Sequence, residues 1–511
     1  MLKRQKIQTL VYRMVILGLL GSIGLIGCGS ESDNVIRFGL ASVPITLDPR
    51  FATDAVSTRI NRLIYRQLID FDESSTPVPS LATWHKISPT HYRFTLTPRF
   101  RQFHDGTPLT ANDVEATFQY ILDAAHGSPH RATLKMIQYV DAIDTDTVDF
   151  ILNTPDPLFP GYLEVGILPR AKIQSGHPFN TQPVGSGPFQ FLRWPDASRL
   201  QLSRRRDQQT FEFQHIKDDN TRILKLLRGE LDIIQNNLDA ELVKYVSKQS
   251  AVTVQRARGS NFSYLGFNMG DSETGKHKVR LAIAHAINRE AIVKYLFNGG
   301  ARLADTLLTP DHWATNTRLV HYDYSPSKAR HLLAELGYNQ KKPLRLVYKT
   351  SNNPFRIRLA TVIQSQLREV GIEVDVKTYD WGTYYSDIKA GNFQMYSLAW
   401  VGINLPDIYR YVFHSDAVPP DGANRGRYTD AAVDELLDAA QSMQNRQEQV
   451  GAYGKIQQIL LTSLPYVPLW YEDHVFVMRN NLSGYRLSLD GNYDALAEVN
   501  RVVDVKRTIV R

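Results

Sequence analysis

Three short segments concentrate the side chains that can grip a small molecule. They are Lys349-Thr350-Ser351-Asn352-Asn353, Asp380-Trp381 and Trp400-Val401-Gly402-Ile403-Asn404. Together they supply a cation, hydroxyls, amides and two indoles. That is the chemistry of a pocket with apolar walls and a few placed polar groups. Trp400, beside Gly402, is read as a pocket residue in preference to a core tryptophan. Groups for bond-making chemistry are harder to find. The chain has no HExxH, no GxSxG and no Rossmann glycine fingerprint. Its 14 histidines do not pair at metal-ligand spacing on any expected helix, and Pro129 interrupts the one pair four apart, His126 and His130. His104 beside Asp105 falls in an Asp-Gly turn and is read as structural. Gly270 to His277 nearly matches a phosphate loop, but His277 stands where magnesium needs a hydroxyl, and Asp271 and Glu273 would repel phosphate. The expectation is a binding protein with no catalytic residues, no metal and no cofactor.

The elements that must position these segments follow from spacing. Leu344 to Tyr348 reads as a strand, Phe355 to Val370 as a helix, Ile372 to Tyr379 as a strand, Trp381 to Ala390 as a helix and Phe393 to Trp400 as a strand. This alternation predicts a largely parallel sheet, with ligand held beyond the carboxyl ends of the strands. The three polar segments then share one sheet edge. In the first half, Val35 to Leu40 and His91 to Leu96 read as strands. Asp54 caps a helix with Val56, Ile60, Leu63, Ile64 and Leu68 on its apolar face, and Thr110 caps a helix over Asn112 to Ala124. Pro183 to Phe189 is a tight Gly/Pro loop, and Glu230 to Ile234 a short buried strand. Lys278 to Phe297 reads as one helix, while Tyr466 to Tyr471 and His474 to Met478 read as two strands.

With 511 residues the chain is too long for one core and predicts about two or three domains. The formal charge is +7, but residues 1–27 hold Lys3, Arg4, Lys6 and Arg13 and no acid. Without them 55 basic residues face 52 acidic ones, a balance that gives no case for nucleic acid. After Arg13 comes an apolar run from Met14 to Ile26, too short to span a bilayer and of signal-peptide length. It ends in Leu25-Ile26-Gly27-Cys28, which is similar to a bacterial lipobox. Residues 1–27 are therefore expected to be a removed signal peptide, Cys28 the lipidated residue, and 28–34 the anchor and tether. Cys28 is the only cysteine, so disulfides within the chain and CxxC sites are excluded. No later segment reads as transmembrane. The expected location is the periplasm or cell surface, on a lipid anchor.

Taken in order, several motifs resemble the peptide- and nickel-type solute-binding proteins of ABC importers, the dipeptide/oligopeptide-binding family. They are HYRFTLTPRFRQFHDGTPLTANDVEATFQYIL, PVGSGPF, FNM followed by KVRLAIAHAINREAIV, LLAELGY, LREVGIEVDVKTYDWGTYYSDIKAGNFQMYSLAWVG and KIQQILLTSLPYVPLWY. The resemblance implies a two-lobed α/β periplasmic-binding-protein-like fold, with an extra subdomain in the first lobe and a hinge between lobes. The first lobe would comprise 35–75, 183–262 and 479–511, its subdomain 76–182, and the second lobe 263–478. Crossings are expected near Ser260 to Leu265 and Val477 to Arg479.

By position, Thr53 and Ala55 match first-lobe ligand contacts, and Trp400, Val401 and Gly402 match the second-lobe strand that meets a peptide's amino end. Asp54 lies between the first two and can reach the cleft. Peptide binders carry an aspartate three residues after this tryptophan, where this chain has Ile403. Asp407 or Asp54 would have to replace it. The carboxylate-binding arginine of some dipeptide binders is also missing, with Lys349 or Thr350 standing nearest. The implied function is a monomeric, lipid-anchored binding protein that captures a small ligand, a dipeptide or oligopeptide, and delivers it to an ABC permease. A non-peptide solute such as a metal chelate or oligosaccharide, or a sensor role, stays open. A hydrolase would need Asp54 and Asp407 as a facing pair.

Overall fold

The computed structural model describes residues 34–502 except Val320. The expected signal segment and Cys28 lie outside the described residues. Among those described, no helix is long and apolar enough to cross a membrane.

One mixed sheet of eleven strands runs through the molecule. Two long strands, Val252–Phe267 and Tyr466–Arg479, lie antiparallel at its centre and serve both halves. On one side Ile233–Gln235 joins the second of them, followed by Val35–Leu40, Thr210–His215 and the hairpin strands Arg199–Arg204 and Phe189–Asp196. On the other side Met395–Trp400 joins the first, followed by Leu344–Ser351 and Ile372–Tyr379. The last three are mutually parallel, as the alternating pattern predicts. The two halves on either side of the long strands give the two-lobed α/β architecture that the sequence resemblance implies.

The long strands pair at 252–257 with 474–479 and again from 261 with 472, and their register slips between Ala257 and Asn261. That slip is where the pairing passes from one half to the other. Val477 and Met478 pair with Ile234 and Ile233, inside the first half's sheet. The chain end returns to the first half, where Tyr485, Tyr493, Leu496 and Val499 pack with Ile36, Phe38 and Phe476.

A separate four-stranded antiparallel sheet, in the order Ala82–Ser88, His91–Leu96, Thr147–Leu152 and Ile137–Ala142, packs on the helix Ala111–Leu122. Its core is aromatic, with Phe94, Phe118, Phe150 and Phe159 buried together. Thr110 N–H donates to the Asp113 carboxylate at 2.8 Å and fixes that helix start.

Several elements differ from the sequence expectation. The helix over 278–297 is two, His277–Ala286 and Arg289–Tyr295. Asn288 breaks it because its side chain accepts from Ala291 N–H and its own N–H donates to Gln366. The two strands near the end are one 14-residue strand, since both halves of the sheet need it. The helix after Asp54 stops at Ile64, so Leu68 is buried outside it.

Candidate ligand cleft

A cavity of about 1070 Å³ lies between the halves. The helix Ala55–Ile64, the loop before it and the segment 161–166 form one wall. Residues 400–411 form the opposite wall. Of the expected site residues, Thr53, Ala55, Trp400, Val401, Gly402, Asn404 and Asp407 line this space. Trp400 is half-buried, with Arg425 over its ring at 4.8 Å and no hydrogen-bond partner for its indole N–H among the described residues.

Other expected residues lie elsewhere. The Asp54 carboxylate accepts from Ser57 N–H at 2.9 Å and caps its helix, so it does not line the cavity or pair with Asp407. The sequence puts Lys349, Thr350 and Ser351 in a loop, but their strand runs on to Ser351, paired with Tyr379. The Lys349 ammonium turns to Asp387 at 2.7 Å. Thr350, Ser351 and Trp381 line a second, smaller cavity.

Beside the expected Asp407, the main cavity gathers charged groups that the sequence did not single out. Glu164 and Asp407 border it, and Asp156 is buried just behind. Burial raises Asp407 to about 7, reinforced by repulsion from Asp156 and Glu164. Burial likewise raises Glu164 to about 7, against the attraction of Arg62 and a hydrogen bond from Asn404, and raises Asp156 to about 6. Among the described residues no cation lies within ion-pair distance of Asp407. Arg62 is already committed to Asp70 and Asp494, at 3.0 and 2.6 Å. Arg59 is different. It lines the cavity at 8% exposure, donates to the Asp490 carbonyl at 3.1 Å and has no carboxylate partner among the described residues. The cleft thus holds uncompensated charge of both signs.

A signal for these groups existed. Glu164 is the only ionisable carboxyl in the apolar stretch Leu158 to Leu168, and Arg59 sits on the apolar helix face between Val56 and Leu63. A lone charge in such a setting costs several kcal/mol unless it meets a partner.

The halves also touch directly. Asn404 donates to Glu164 at 3.1 Å, and Lys86 donates to Gln444 at 2.8 Å. Leu405 enters the aromatic core of the four-stranded subdomain. It fits because residue 161 is glycine: a Cβ there would stand 2.8 Å from the leucine methyls.

A family model described as bacterial extracellular solute-binding proteins, family 5, middle region, matches residues 76–417, about two thirds of the chain. The chain belongs to this family. Among the relatives of this solute-binding protein is the oligopeptide-binding protein AppA of Bacillus subtilis, 26% identical over 88% of each chain. The AppA structure in complex with a nonapeptide superposes with a TM-score of 0.81, covering 92% of this chain and 99% of AppA, at 25% identity. DppA from Helicobacter pylori, in complex with the peptide STSA, is 26% identical with a TM-score of 0.80, covering 91% and 98%. Heme-binding protein A of Haemophilus influenzae is 26% identical over 92% of this chain and 93% of its own.

Proposed function

We propose that this solute-binding protein captures an oligopeptide in the cleft, closes on it by hinge motion and presents it, as a monomer, to an ABC permease. The carrying observation is a cavity near the upper end of small-molecule sites, about 1000 Å³, whose unpaired charges have both signs. A peptide is a zwitterion of that size class. Asp407 and Glu164 suit its ammonium, and Arg59 suits a carboxylate. AppA and DppA, bound to peptides on the same fold, support the reading. Trp400, Val401 and Gly402 then face the ligand from the second lobe and Thr53 and Ala55 from the first. We place the lobe boundary at the register slip, 258–260 on one strand and 473 on the other. A bulge that interrupts pairing is a natural place for bending.

The test is native mass spectrometry of residues 29–511 purified without denaturation. The expected result is a ladder of bound peptide masses. A single non-peptide mass, or a metal, would overturn the peptide reading.

The lipid anchor belongs to the same proposal. Cys28 after Leu25-Ile26-Gly27 supports lipidation, and one exported domain tethered beside its permease follows. In Cys28→Ser the protein is expected in the soluble fraction after cell lysis, with the wild type in the membrane fraction. Persistent membrane association of the variant would sink the anchor.

A further inference from the structure

The second cavity, of about 230 Å³, opens beside the main one, and Val401 lines both. It exists because small side chains meet on one face of the sheet. Ser263 lies opposite Ala399 on one neighbouring strand and opposite Trp470 on the other. Thr350 and Ser397 add two more short side chains. Around this floor the walls are large and flat: Tyr348, Trp381, Tyr384 and Trp470. Trp381 is 59% exposed and stacks on Tyr385 with ring centroids 5.5 Å apart. An exposed indole held in place by stacking is an unspent apolar surface.

The charge in this pocket is already cancelled. Arg356 reaches both oxygens of Glu472, at 2.8 and 3.2 Å, and Ser263 donates to the same carboxylate at 2.7 Å. Burial alone would raise Glu472, but Arg356 holds it below the usual carboxylate range, so the pair stays ionised. Lys349, the other nearby cation, is paired with Asp387. A charged group entering here would lose its hydration and find no counter-ion. Space decides the rest. An apolar cavity of about 150 Å³ holds benzene, so this one accepts a phenyl or indole side chain.

We propose that this side pocket is a specificity subsite that takes one neutral, ring-sized side chain of the cleft ligand and rejects a charged one. The inference rests on the reading of the main cavity as a peptide cleft. Each peptide in the test set is an alanine pentamer carrying one Phe, Trp, Glu or Lys at any of its five positions. They compete for residues 29–511, and bound masses are read by native mass spectrometry. Burial of one aromatic side chain predicts enrichment of Phe and Trp peptides over Glu and Lys peptides by roughly tenfold to a hundredfold.

Ala399→Leu fills the pocket floor and is expected to abolish that preference while all-alanine pentamer still binds. Trp381→Ala, at an exposed site, is expected to lower it severalfold. Unchanged preference in both variants would overturn the subsite. Free indole separates this failure from failure of the peptide reading. Indole is expected to raise the melting temperature of the wild type and not of Ala399→Leu. That result with no peptide bound would overturn the peptide reading alone, and equal shifts in both proteins would overturn the subsite.

Discussion

Asp407→Asn is expected to weaken binding of a free-amine peptide roughly 30- to 400-fold at pH 8, measured by titration calorimetry with the peptide that co-purifies. Truncating one partner of a buried charge pair costs about 2–5 kcal/mol, and the lower half applies because Asp407 borders an open cavity. The same variant decides how charge is met without an acid at Ile403. In the unliganded protein Asp407 and Glu164 both sit at about 7. An ammonium favours the ionised carboxylate, so binding lowers those values and releases protons. Affinity is then full above pH 7 and falls as pH drops through 7, by about tenfold per pH unit for each group that must give up its proton. Asp407→Asn flattens one of these steps. If wild-type affinity is flat from pH 8 to 5.5, or rises on acidification, the ligand's end in this corner is not an ammonium. The sign is reversed for the unliganded fold. Raised carboxyls bind protons more tightly in the native state, so their own contribution to stability declines as pH rises from about 4 to 7.

The second-lobe side of the cleft was legible in the sequence because alternating strands and helices put strand ends on one edge. Trp400, Val401, Gly402 and Asn404 follow from that rule, and Asp407 from the missing acid at Ile403. It misplaced Lys349, Thr350 and Ser351 because short polar residues look like a loop. Pairing with Lys377, Thr378 and Tyr379 carries the strand through them. Those residues then line the side pocket from a rigid sheet, which a loop would not offer. The first-lobe side was harder. Arg59, Asp156 and Glu164 are 240 or more residues from Asp407, and no periodicity connects them. What brings the charges together is tertiary packing, including the Leu405 insertion opposite Gly161.

Gly185→Val is expected to lower the melting temperature by about 6 °C or more. A Cβ at Gly185 would lie 2.1 Å from the Ile64 carbonyl oxygen, which is backbone and cannot turn aside. A Cβ at neighbouring Gly187 would lie 2.4 Å from the Leu63 carbonyl oxygen, and Gly187 N–H donates to the Ile64 carbonyl at 2.8 Å. The segment therefore lies flat on the last turn of the helix that presents Arg59 to the cleft. From its other side His104 holds it. Gly185 N–H donates to Nδ1 at 3.4 Å, and Nε2–H donates to the Gly187 carbonyl at 3.1 Å. Burial lowers His104 to about 4, so the ring is neutral and one tautomer satisfies both bonds. This clip ties the subdomain turn to the first lobe and gives the His104 ring a structural role. Forcing two methyls under it costs about 3 kcal/mol by overpacking, and a change of that size moves the midpoint of a large chain by a few degrees per kcal/mol. Ser186→Ala is the control. Its hydroxyl is buried and unpartnered among the described residues, so its removal is expected to leave the midpoint unchanged or slightly raised. A Gly185→Val protein that melts with the wild type would mean that the segment is not packed on the helix.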